Sequence, residues 1–368
     1  MILVYRYRVK SLNGLLNKQS RAVNFVWNFC NDRQKDALRF GRRWHTGFDL
    51  NKLTTGSSKE LGLHSGTVNA VCEQYAKSRS QKKRPFLRYR SKKSLGWVPL
   101  KGRDIKETKE GFHFHGREFR VFKSRDLPVG AKIKDGTNFS RDARGNWFLN
   151  VCIEVEQPEQ RPMRTGVGID LGLKSFAALS NGETIDNPRH FRRLEEKLGK
   201  AQRARKKRQA VNIHARIVNA RRDFLHKLSR RLVNEFDYIA VGNVSASKLA
   251  MLVLASFAVG NVSASKLAKT SMAKSVADVS WSSFRAMLAY KAIKHGAWFE
   301  EVNESFSSQV CSSCGTLPDS RPRGIADLGV RRWVCSGCGV VHDRDTNAAL
   351  NILARHGHVP PVVGIPVL

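Results

Sequence analysis

Four cysteines late in the sequence form two Cys-x-x-Cys pairs. Cys311 and Cys314 make the first pair, Cys335 and Cys338 make the second, and 20 residues separate the two pairs. Four thiolates at this spacing are typical of tetrahedral zinc, and a glycine after each pair allows the tight turn that directs backbone amides at sulfur. Two disulfides are the alternative, which a reducing compartment disfavours. Because four protein ligands leave no open position for water, we expect this zinc to be structural.

Two aspartates are candidates for ligands of a hard cation. Asp170 ends the apolar stretch GVGID, which is typical of a buried strand, and an acid there is costly unless it binds a cation or hydrogen-bond donors. Asp343 is typical of a helix N-cap, whereas Asp345, two residues later, is more than a cap needs. We predict that Asp170 and Asp345 share a carboxylate cluster. A turn-capping aspartate, or the phosphate-binding hairpin of the actin and sugar-kinase fold, are the alternatives for Asp170.

The elements around these acids are expected to form a sheet. Residues 165–182 predict a buried strand, a glycine-containing turn and a return strand that closes at an Asn-Gly pair. A helix is expected over residues 282–295, followed by a strand over Ala297–Glu304. Neighbouring parallel strands end on the same edge of a sheet, so an acid that follows one strand can reach a cation bound beside the next.

The charge of the chain indicates a polyanionic partner. Its 368 residues carry 65 Lys and Arg against 31 Asp and Glu, a formal net charge of +34, and 41% of them are apolar. A folded chain with this charge needs a polyanion to neutralise it, and nucleic acid suits best. The sequence contains no apolar run of membrane-spanning length, and its first residues do not resemble a secretory signal. We expect a cytoplasmic protein that is nucleoid-associated when bound to DNA.

Two basic segments are the candidates for nucleic-acid contact. Residues 191–231 contain 15 Lys and Arg against 3 acids and lack proline, which is typical of long basic helices lying along phosphates. Residues 79–97 interleave aromatic rings with cations, which suits base stacking as well as backbone contact. A solvated surface is the alternative for any one run. The candidate contact residues are Arg84, Arg88, Arg90, Lys92, Lys93, Arg205, Lys206, Lys207, Arg208, Arg221, Arg222 and Lys227.

The first 160 residues are expected to form one β-rich unit that is interrupted by helices. A strand over 1–10 precedes a helical insertion of about 12–95. Residues 111–156 then show the alternating pattern of strands separated by Gly- and Asp-rich turns. This pattern predicts an antiparallel sheet or small barrel, followed by a proline-containing linker over 157–164.

An internal repeat lies in the second half of the chain. The sequence AVGNVSASKLA occurs at residues 240–250 and again at 258–268, offset by 18 residues. A single duplication of coding DNA is the simplest cause, since stacked repeats need at least three units. The apolar residues before the first copy make it the better strand candidate, and the second copy is then an insertion of undefined shape.

Several of these segments resemble one protein family. GIDLGLKSFAALSNG, the basic stretch ending NARRDFLHKLS, the paired Cys-x-x-Cys-Gly motifs and DRDTNAALNIL occur in this order in TnpB (OrfB) proteins. These are transposon-encoded RNA-guided nucleases related to Fanzor proteins and type V CRISPR effectors. The similarity covers about Arg164–Arg355, whereas the N-terminal part resembles the family's wedge and recognition regions only loosely.

The resemblance implies a fold class and a domain order. It implies an α/β, RNase H-like nuclease domain of RuvC type with an inserted zinc ribbon, and a β-barrel-like wedge domain interrupted by helices. The implied parts are a wedge and recognition domain over 1–160, the first part of the nuclease domain over 161–306 with basic helices in 187–236, a zinc ribbon over 307–341, a last nuclease helix over 342–357 and a tail over 358–368.

The resemblance also implies an activity. Such a protein binds a transposon-derived guide RNA and cuts target double-stranded DNA next to a short motif, with Mg2+ held by the RuvC carboxylates. We expect a monomer on its RNA, a structural Zn2+ and no membrane partner.

The sequence departs from the family at one expected carboxylate. The family's second acid, a Glu, follows the fourth strand in a Val-Glu-Asn motif, but this chain has Gly242 there, and Gly260 in the second repeat copy. We predict that Glu304 supplies the ligand from the end of the next strand. Glu301 is the reserve candidate. Glu300, four residues before Glu304, is expected on the same face of the strand as Glu304. The predicted catalytic residues and magnesium ligands are Asp170, Glu304 and Asp345.

Two other functions remain open. Without a relocated acid, two aspartates hold magnesium poorly, and the chain would be a nuclease-inactive, RNA-guided DNA-binding protein or repressor. The other candidate is a DNA-binding regulator that uses the basic helices and the ribbon without RNA. Copurifying RNA of defined length would distinguish this regulator from both guided proteins.

Overall fold

The chain folds as two compact units, Met1–Glu156 and Gln157–Leu368. The computed structural model describes residues 1–243, 280–323 and 326–355. The second repeat copy (258–268), the chain between the copies and the tail at 358–368 lie outside the described residues. Among the helices that are described, none is both long enough and apolar enough to cross a membrane.

The first unit is an antiparallel sheet with helices inserted after its first strand. The strands are β1 (Ile2–Val9), β2 (Trp97–Pro99), β3 (Ile105–Glu107), β4 (Gly111–Phe114), β5 (Arg117–Phe122), β6 (Lys132–Ile133), β7 (Asn138–Arg141) and β8 (Trp147–Glu154). They pair in the order β2-β7-β8-β1-β5-β4-β3, with β6 also on β8. The helices are α1 (Asn13–Arg39), α2 (Gly47–Leu53) and α3 (Ser65–Gln81). The predicted antiparallel sheet is confirmed, but the helical insertion ends at Gln81, earlier than expected.

Alternation along β1 builds the core of this unit. Leu3, Tyr5, Tyr7 and Val9 are buried, while the residues between them are exposed. This period of two puts one face of the strand against the core and the other toward water. The buried residues of β1 pack in one cluster with apolar side chains from α1, α3 and β8. The sheet therefore has one covered face, as its sequence pattern predicts.

The second unit contains a five-stranded mixed sheet, a small hairpin and four described helices. The sheet strands are β9 (Gly166–Leu171), β10 (Ser175–Leu179), β11 (Thr184–Asp186), β12 (Tyr238–Gly242) and β13 (Trp298–Val302). The hairpin strands are β14 (Arg332–Val334) and β15 (Val341–Asp343). The helices are α4 (Arg192–Arg203), α5 (Lys207–Glu235), α6 (Trp281–His295) and α7 (Arg344–Ala354).

The order of the five strands is β11-β10-β9-β12-β13. Strand β10 runs antiparallel to β9 and β11, whereas β12 runs parallel to both β9 and β13. The strand after α6, β13, is expected to lie parallel beside the strand now identified as β12, and this expectation is confirmed. The first repeat copy supplies the end of β12, also as expected. The predicted last helix begins later than residue 342, because His342 and Asp343 pair with β14 as part of β15.

Close packing fixes helix α7 on the central strand. A Cβ atom on Gly168 of β9 would lie 2.0 Å from the carbonyl oxygen of Ala349 and 2.9 Å from Cβ of Leu353. Only a residue without a side chain lets the helix approach the strand this closely. Because Asp345 is on this helix and Asp170 is on this strand, the contact brings the two aspartates to the same part of the unit.

Candidate active site

Asp170 lies near the end of β9 among charged neighbours. Burial, followed by the negative charges of Asp345 and Glu304, raises the pKa of Asp170 to about 8. Arg344 and Arg331 oppose this rise. The structure therefore places the three predicted acids close enough for their charges to interact. Carboxylates that repel one another in a buried place are stabilised when a divalent cation binds between them.

Asp345 lies in the first turn of α7 and is free of the capping role. The N-cap is Asp343, as predicted, since its Oδ1 accepts hydrogen bonds from the backbone N–H groups of Asp345 at 3.1 Å and Thr346 at 3.0 Å. The carboxylate of Asp345 instead accepts from Nη1 of Arg331, at 3.0 Å and 2.8 Å to its two oxygens. Asp170, Asp345 and Arg331 line one open cavity of about 60 Å³.

Glu304 lies against the glycine that stands where the family has its glutamate. Strands β12 and β13 pair in parallel with Gly242 opposite Val302, so Glu304 follows at the same edge of the sheet. A Cβ atom on Gly242 would lie 3.0 Å from Oε2 of Glu304 and 3.4 Å from its Cβ. A side chain at residue 242 would therefore be crowded by the Glu304 carboxylate and by Cδ1 of Ile352, which would lie 3.1 Å from the added Cβ.

The two acids within β13 itself have different partners. Glu301 forms an ion pair with Arg285 of α6, with 3.5 Å between Oε2 and Nε. Glu300 accepts a hydrogen bond from the hydroxyl of Tyr238, at 3.4 Å, at the opposite end of β12 from Gly242. The charge of Glu304, after burial and the charge of Asp345, raises the pKa of Asp170. These contacts favour Glu304 over Glu301 and Glu300.

The donor chemistry of the acid cluster suits magnesium. Mg2+ prefers carboxylate oxygens and keeps several of its waters, so it does not need a closed cage of side chains. Within the described ranges, only the four cysteines place at least three ligand atoms within 4.8 Å of one another, so the three acids form a less compact group. The residues present thus fit a hard, partly hydrated cation.

The four cysteines form a compact cluster, as their spacing predicts. Sγ of Cys311 lies 3.7 Å from that of Cys338, and Sγ of Cys314 lies 3.8 Å from that of Cys335. Each pair ends in a turn closed by a glycine N–H that donates to the carbonyl of the first cysteine. Both glycines, 315 and 339, have a φ of +73°, which favours glycine. Four thiols in this arrangement fit Zn2+.

One neighbour of the cysteine site was not predicted from the sequence. Nε2 of the buried His342 lies 2.9 Å from Sγ of Cys311, and its ring packs on Trp333 with the centroids 4.8 Å apart. The histidine is four residues beyond Cys338, close to the metal-ligand spacing used in other zinc sites, which is a signal that could have indicated it. Burial lowers the pKa of His342.

The candidate nucleic-acid contacts of the first unit divide into two groups. Arg84, Arg88, Lys92 and Lys93 are exposed. Arg90 is different, because its guanidinium lies 4.0 Å from the ring centroid of Trp27 and 4.6 Å from that of Trp97. Burial lowers the pKa of Arg90 to about 10. Its place between two indoles is a packing role that the sequence prediction of a nucleic-acid contact missed.

The remaining candidates lie on or beside the long helix α5. Arg205 and Lys206 precede the helix, and Lys207 and Arg208 begin it, all four of them exposed. On its later turns Arg222 and Lys227 are exposed, whereas Arg221 is partly buried. Lys227 also pairs with Asp223 at 2.9 Å. The predicted pair of basic helices is confirmed as α4 and α5, and their contact with nucleic acid stays a prediction.

Comparison with known proteins locates two family domains in the chain. The family OrfB_IS605, described as "Probable transposase", matches residues 150–252, and the "Cas12f1-like, TNB domain" matches residues 281–352. A Streptomyces pristinaespiralis protein named "Putative RNA-guided DNA endonuclease" is 38% identical over 244 residues, covering 63% of this chain and 55% of the relative. The resemblance to the TnpB (OrfB) family is confirmed.

Other comparisons agree with the TnpB resemblance. InsQ of Escherichia coli strain K12, also named as a putative RNA-guided DNA endonuclease, is 28% identical over 228 residues, covering 58% of this chain and 54% of InsQ. The chain thus spans about half the length of these curated TnpB relatives. A solved Cas12f1 from a complex with sgRNA and target DNA has a TM-score of 0.55 at 14% identity, covering 92% of this chain and 82% of that one. This likeness shows a shared fold.

Proposed function

We propose that the chain is an RNA-guided DNA endonuclease encoded by a transposon, which cuts target DNA beside a short motif by magnesium-dependent hydrolysis. The contact of the Glu304 carboxylate with Gly242 carries this proposal, because it supplies a third acid in the place of the missing one. The electrostatic coupling of Asp170 to Asp345 and Glu304 supports the same cluster. The printed names of the relatives support the activity.

In this proposal the second unit is a RuvC-type nuclease domain with a zinc ribbon between β13 and α7. Asp170, Glu304 and Asp345 would hold the magnesium ions, which when bound activate water and stabilise the leaving 3′ oxygen. Asp170 must release its proton before it can act as a ligand, since its pKa is raised to about 8. The products would carry a 5′ phosphate and a 3′ hydroxyl.

Guide RNA and target DNA would bind through the basic surface. Exposed cations at the start of α5 would steady phosphates, while base pairing with a transposon-derived guide reads the target. The first unit would serve as the wedge and recognition domain that reads the adjacent motif. We expect a monomer on its RNA that acts in the cytoplasm, on the nucleoid.

A nuclease-inactive DNA-binding protein is the second candidate. Gly242 favours it, because the usual acid of β12 is absent. The retention of Asp170 and Asp345 beside an acid from β13 weighs against it, since a binding protein has no need to keep three repelling carboxylates together. The two candidates differ only in cleavage, so both predict copurifying RNA.

Two measurements test the proposed function. First, RNA that copurifies with the full chain is sequenced, and a defined species is expected; its absence would favour a regulator that works without RNA. Second, the purified complex is incubated with a plasmid matched to that RNA and magnesium. We expect cleavage that Asp170→Ala abolishes, and guided binding without cleavage would establish the inactive protein.

A matched pair of variants tests the relocated ligand. Glu304→Ala should abolish cleavage, whereas Glu301→Ala, which removes only the ion pair with Arg285, should leave most of it. Full cleavage by both variants would contradict the assignment of Glu304.

A further inference from the structure

One face of α7 binds the backbone on both sides of Glu304. Asn347, Asn351 and Arg355 follow one another at intervals of four residues, so they form a stripe along the helix. All three donate to backbone carbonyls between β13 and the first cysteine pair. The segment that carries Glu304 is therefore attached to the helix that carries Asp345.

The two asparagines share the same pair of acceptors. Nδ2 of Asn347 donates to the carbonyls of Ser307 and Val310 at 3.3 and 2.8 Å, and Nδ2 of Asn351 donates to both at 2.7 Å. Oδ1 of Asn347 also accepts from the N–H of Ser312, inside the first cysteine pair, at 2.9 Å. Both side chains are buried. Buried amides are tolerated only when hydrogen-bonded, so these contacts define a single position for the segment.

Arg355 binds the backbone on either side of Glu304. The guanidinium of Arg355 donates to the carbonyl of Asn303 and, at 2.5 Å, to that of Ser305. These two residues flank Glu304 in the sequence, so their carbonyls fix the direction of the peptide that carries it. A guanidinium suits this role because its donors have a fixed planar geometry.

The segment contains backbone strain that needs such support. Phe306, two residues after Glu304, has a φ of +61° although it is not glycine, and its side chain is exposed. Within the segment, Oδ1 of Asn303 accepts from the N–H of Ser305 and the carbonyl of Glu304 accepts from the N–H of Ser307. A left-handed conformation in a bulky residue persists only where the surroundings enforce it.

We infer that Asn347, Asn351 and Arg355 are positioning residues, which hold the Glu304 carboxylate against Gly242 and at a set distance from Asp345. The inference rests on the proposed function, since it gives Glu304 the part of a magnesium ligand. The stripe acts through the backbone, and none of its residues needs to touch the cation or the DNA.

The test uses the zinc-loaded chain in complex with its guide RNA. Four forms of the protein are compared, namely wild type, Asn351→Ala, Arg355→Ala and Arg355→Lys. We expect Asn351→Ala and Arg355→Ala to raise the magnesium concentration for half-maximal cleavage about tenfold or more, as loss of groups that orient metal ligands does. Arg355→Lys should be intermediate, and target-DNA binding should not change. Because Arg355 is exposed, its variants keep the test valid if Asn351→Ala fails to fold.

Asn31→Ala is the matched control for loss of a buried amide. In the first unit, Asn31 binds the N–H and carbonyl of Leu87 in the same manner, at 2.9 and 2.8 Å. It should lower the melting temperature without changing the magnesium dependence. If Asn351→Ala and Arg355→Ala also change only the melting temperature, their role is structural and the inference is wrong.

A second readout does not depend on cleavage. Mn2+ should raise the melting temperature of the zinc-loaded, RNA-free wild type, and this shift should be lost in Asp170→Ala and reduced in Arg355→Ala. A wild type with neither shift nor cleavage overturns the proposed function and the inference together. If the wild type shows both the shift and cleavage, and Arg355→Ala shows them to the same extent, the inference alone is overturned.

Discussion

At the scale of single residues, the site depends on which side chains are absent as much as on which are present. Gly242 has no side chain, and the Glu304 carboxylate lies in the space that one would need. Two positions on neighbouring strands can therefore supply one acid between them. A glutamate at both positions would crowd the site and add a further repelling charge.

Moving the acid back to β12 is the first prediction. Glu304→Ala should reduce cleavage by at least about 100-fold, since loss of groups that only orient metal ligands already costs 10–100-fold. The double variant Gly242→Glu with Glu304→Ala should recover at least about tenfold over the single variant. Gly242→Glu alone should be impaired by crowding. Rates of plasmid cleavage are measured for wild type, the two single variants and the double variant. If the losses of the two single variants simply add in the double variant, a shared position is contradicted.

The raised pKa of Asp170 leads to the second prediction. With its pKa near 8 in the folded protein against 3.8 for an ordinary aspartate, the folded state binds a proton that the unfolded state has released between these values. The group therefore reduces stability as pH rises from about 4 to 8. Without magnesium, Asp170→Asn should be more stable than wild type, by on the order of 1 to 3 kcal/mol at pH 8 and less at pH 5.

Melting temperatures at the two pH values measure this difference. Exposed Asp186, on β11, provides the control substitution Asp186→Asn, which should show no such gain. Added Mg2+ should raise the melting temperature of wild type but not of Asp170→Asn. A stabilisation that is equal at pH 5 and pH 8 would contradict a raised pKa.

At the scale of elements, the parallel pairing of β9, β12 and β13 and the packing of α7 assemble the cluster. The parallel strands end at one edge, where Glu304 comes two residues after Val302, the partner of Gly242. Helix α7, which follows the cysteine pairs in the chain, then packs on β9 and carries Asp345. The position of each acid is thus set by a contact between elements and not by its own neighbours in the sequence.

Gly168 provides the third prediction, because it allows the contact between β9 and α7. Gly168→Ala would place a Cβ 2.0 Å from the carbonyl oxygen of Ala349, so the helix must move away. We expect a loss of about 1–3 kcal/mol in stability and a larger proportional loss of cleavage. Gly14→Ala on α1 is the control, since no atom lies within 4 Å of its added Cβ. Unchanged cleavage in Gly168→Ala would show that α7 does not set the site.

At the scale of the whole molecule, charge determines the class of partner. The formal net charge is +34, and candidate contact residues beside and along α5, such as Arg205, Lys206 and Arg222, are exposed. Binding to nucleic acid should therefore release many counterions and weaken steeply with salt. This electrostatic term is independent of sequence, so in the proposed function the guide, and not the basic surface, would supply specificity.

Salt dependence of RNA binding is the fourth prediction. Arg222→Ala should lower affinity across unrelated RNA sequences and reduce the slope of log K against log salt by about one unit. Lys123→Ala is the matched control, because Lys123 already pairs with Glu107 at 2.9 Å and Asp126 at 3.0 Å. Titrations at several salt concentrations measure both slopes, and equal slopes for the two variants would argue against α5 as a phosphate contact.

Features that depend on short spacings could be predicted without the structure. The cysteine pairs, the Asp343 cap, the strand that holds Asp170 and the basic helices could all be predicted, because turns, caps and helical faces involve residues a few positions apart. The motif order was also sufficient to predict the TnpB resemblance, and the choice of Glu304 followed from the rule that parallel strands end at one edge.

Contacts between distant groups could not be predicted and are known from the fold. The contact of Glu304 with Gly242, the pairing of Arg331 with Asp345, the burial of Arg90 between two indoles and the stripe of Asn347, Asn351 and Arg355 join elements far apart in the chain. Local patterns show which face of an element is apolar, but not which neighbour covers it or at what register. Strand pairing and helix packing supply that information, because they fix distances between residues that the chain itself leaves independent.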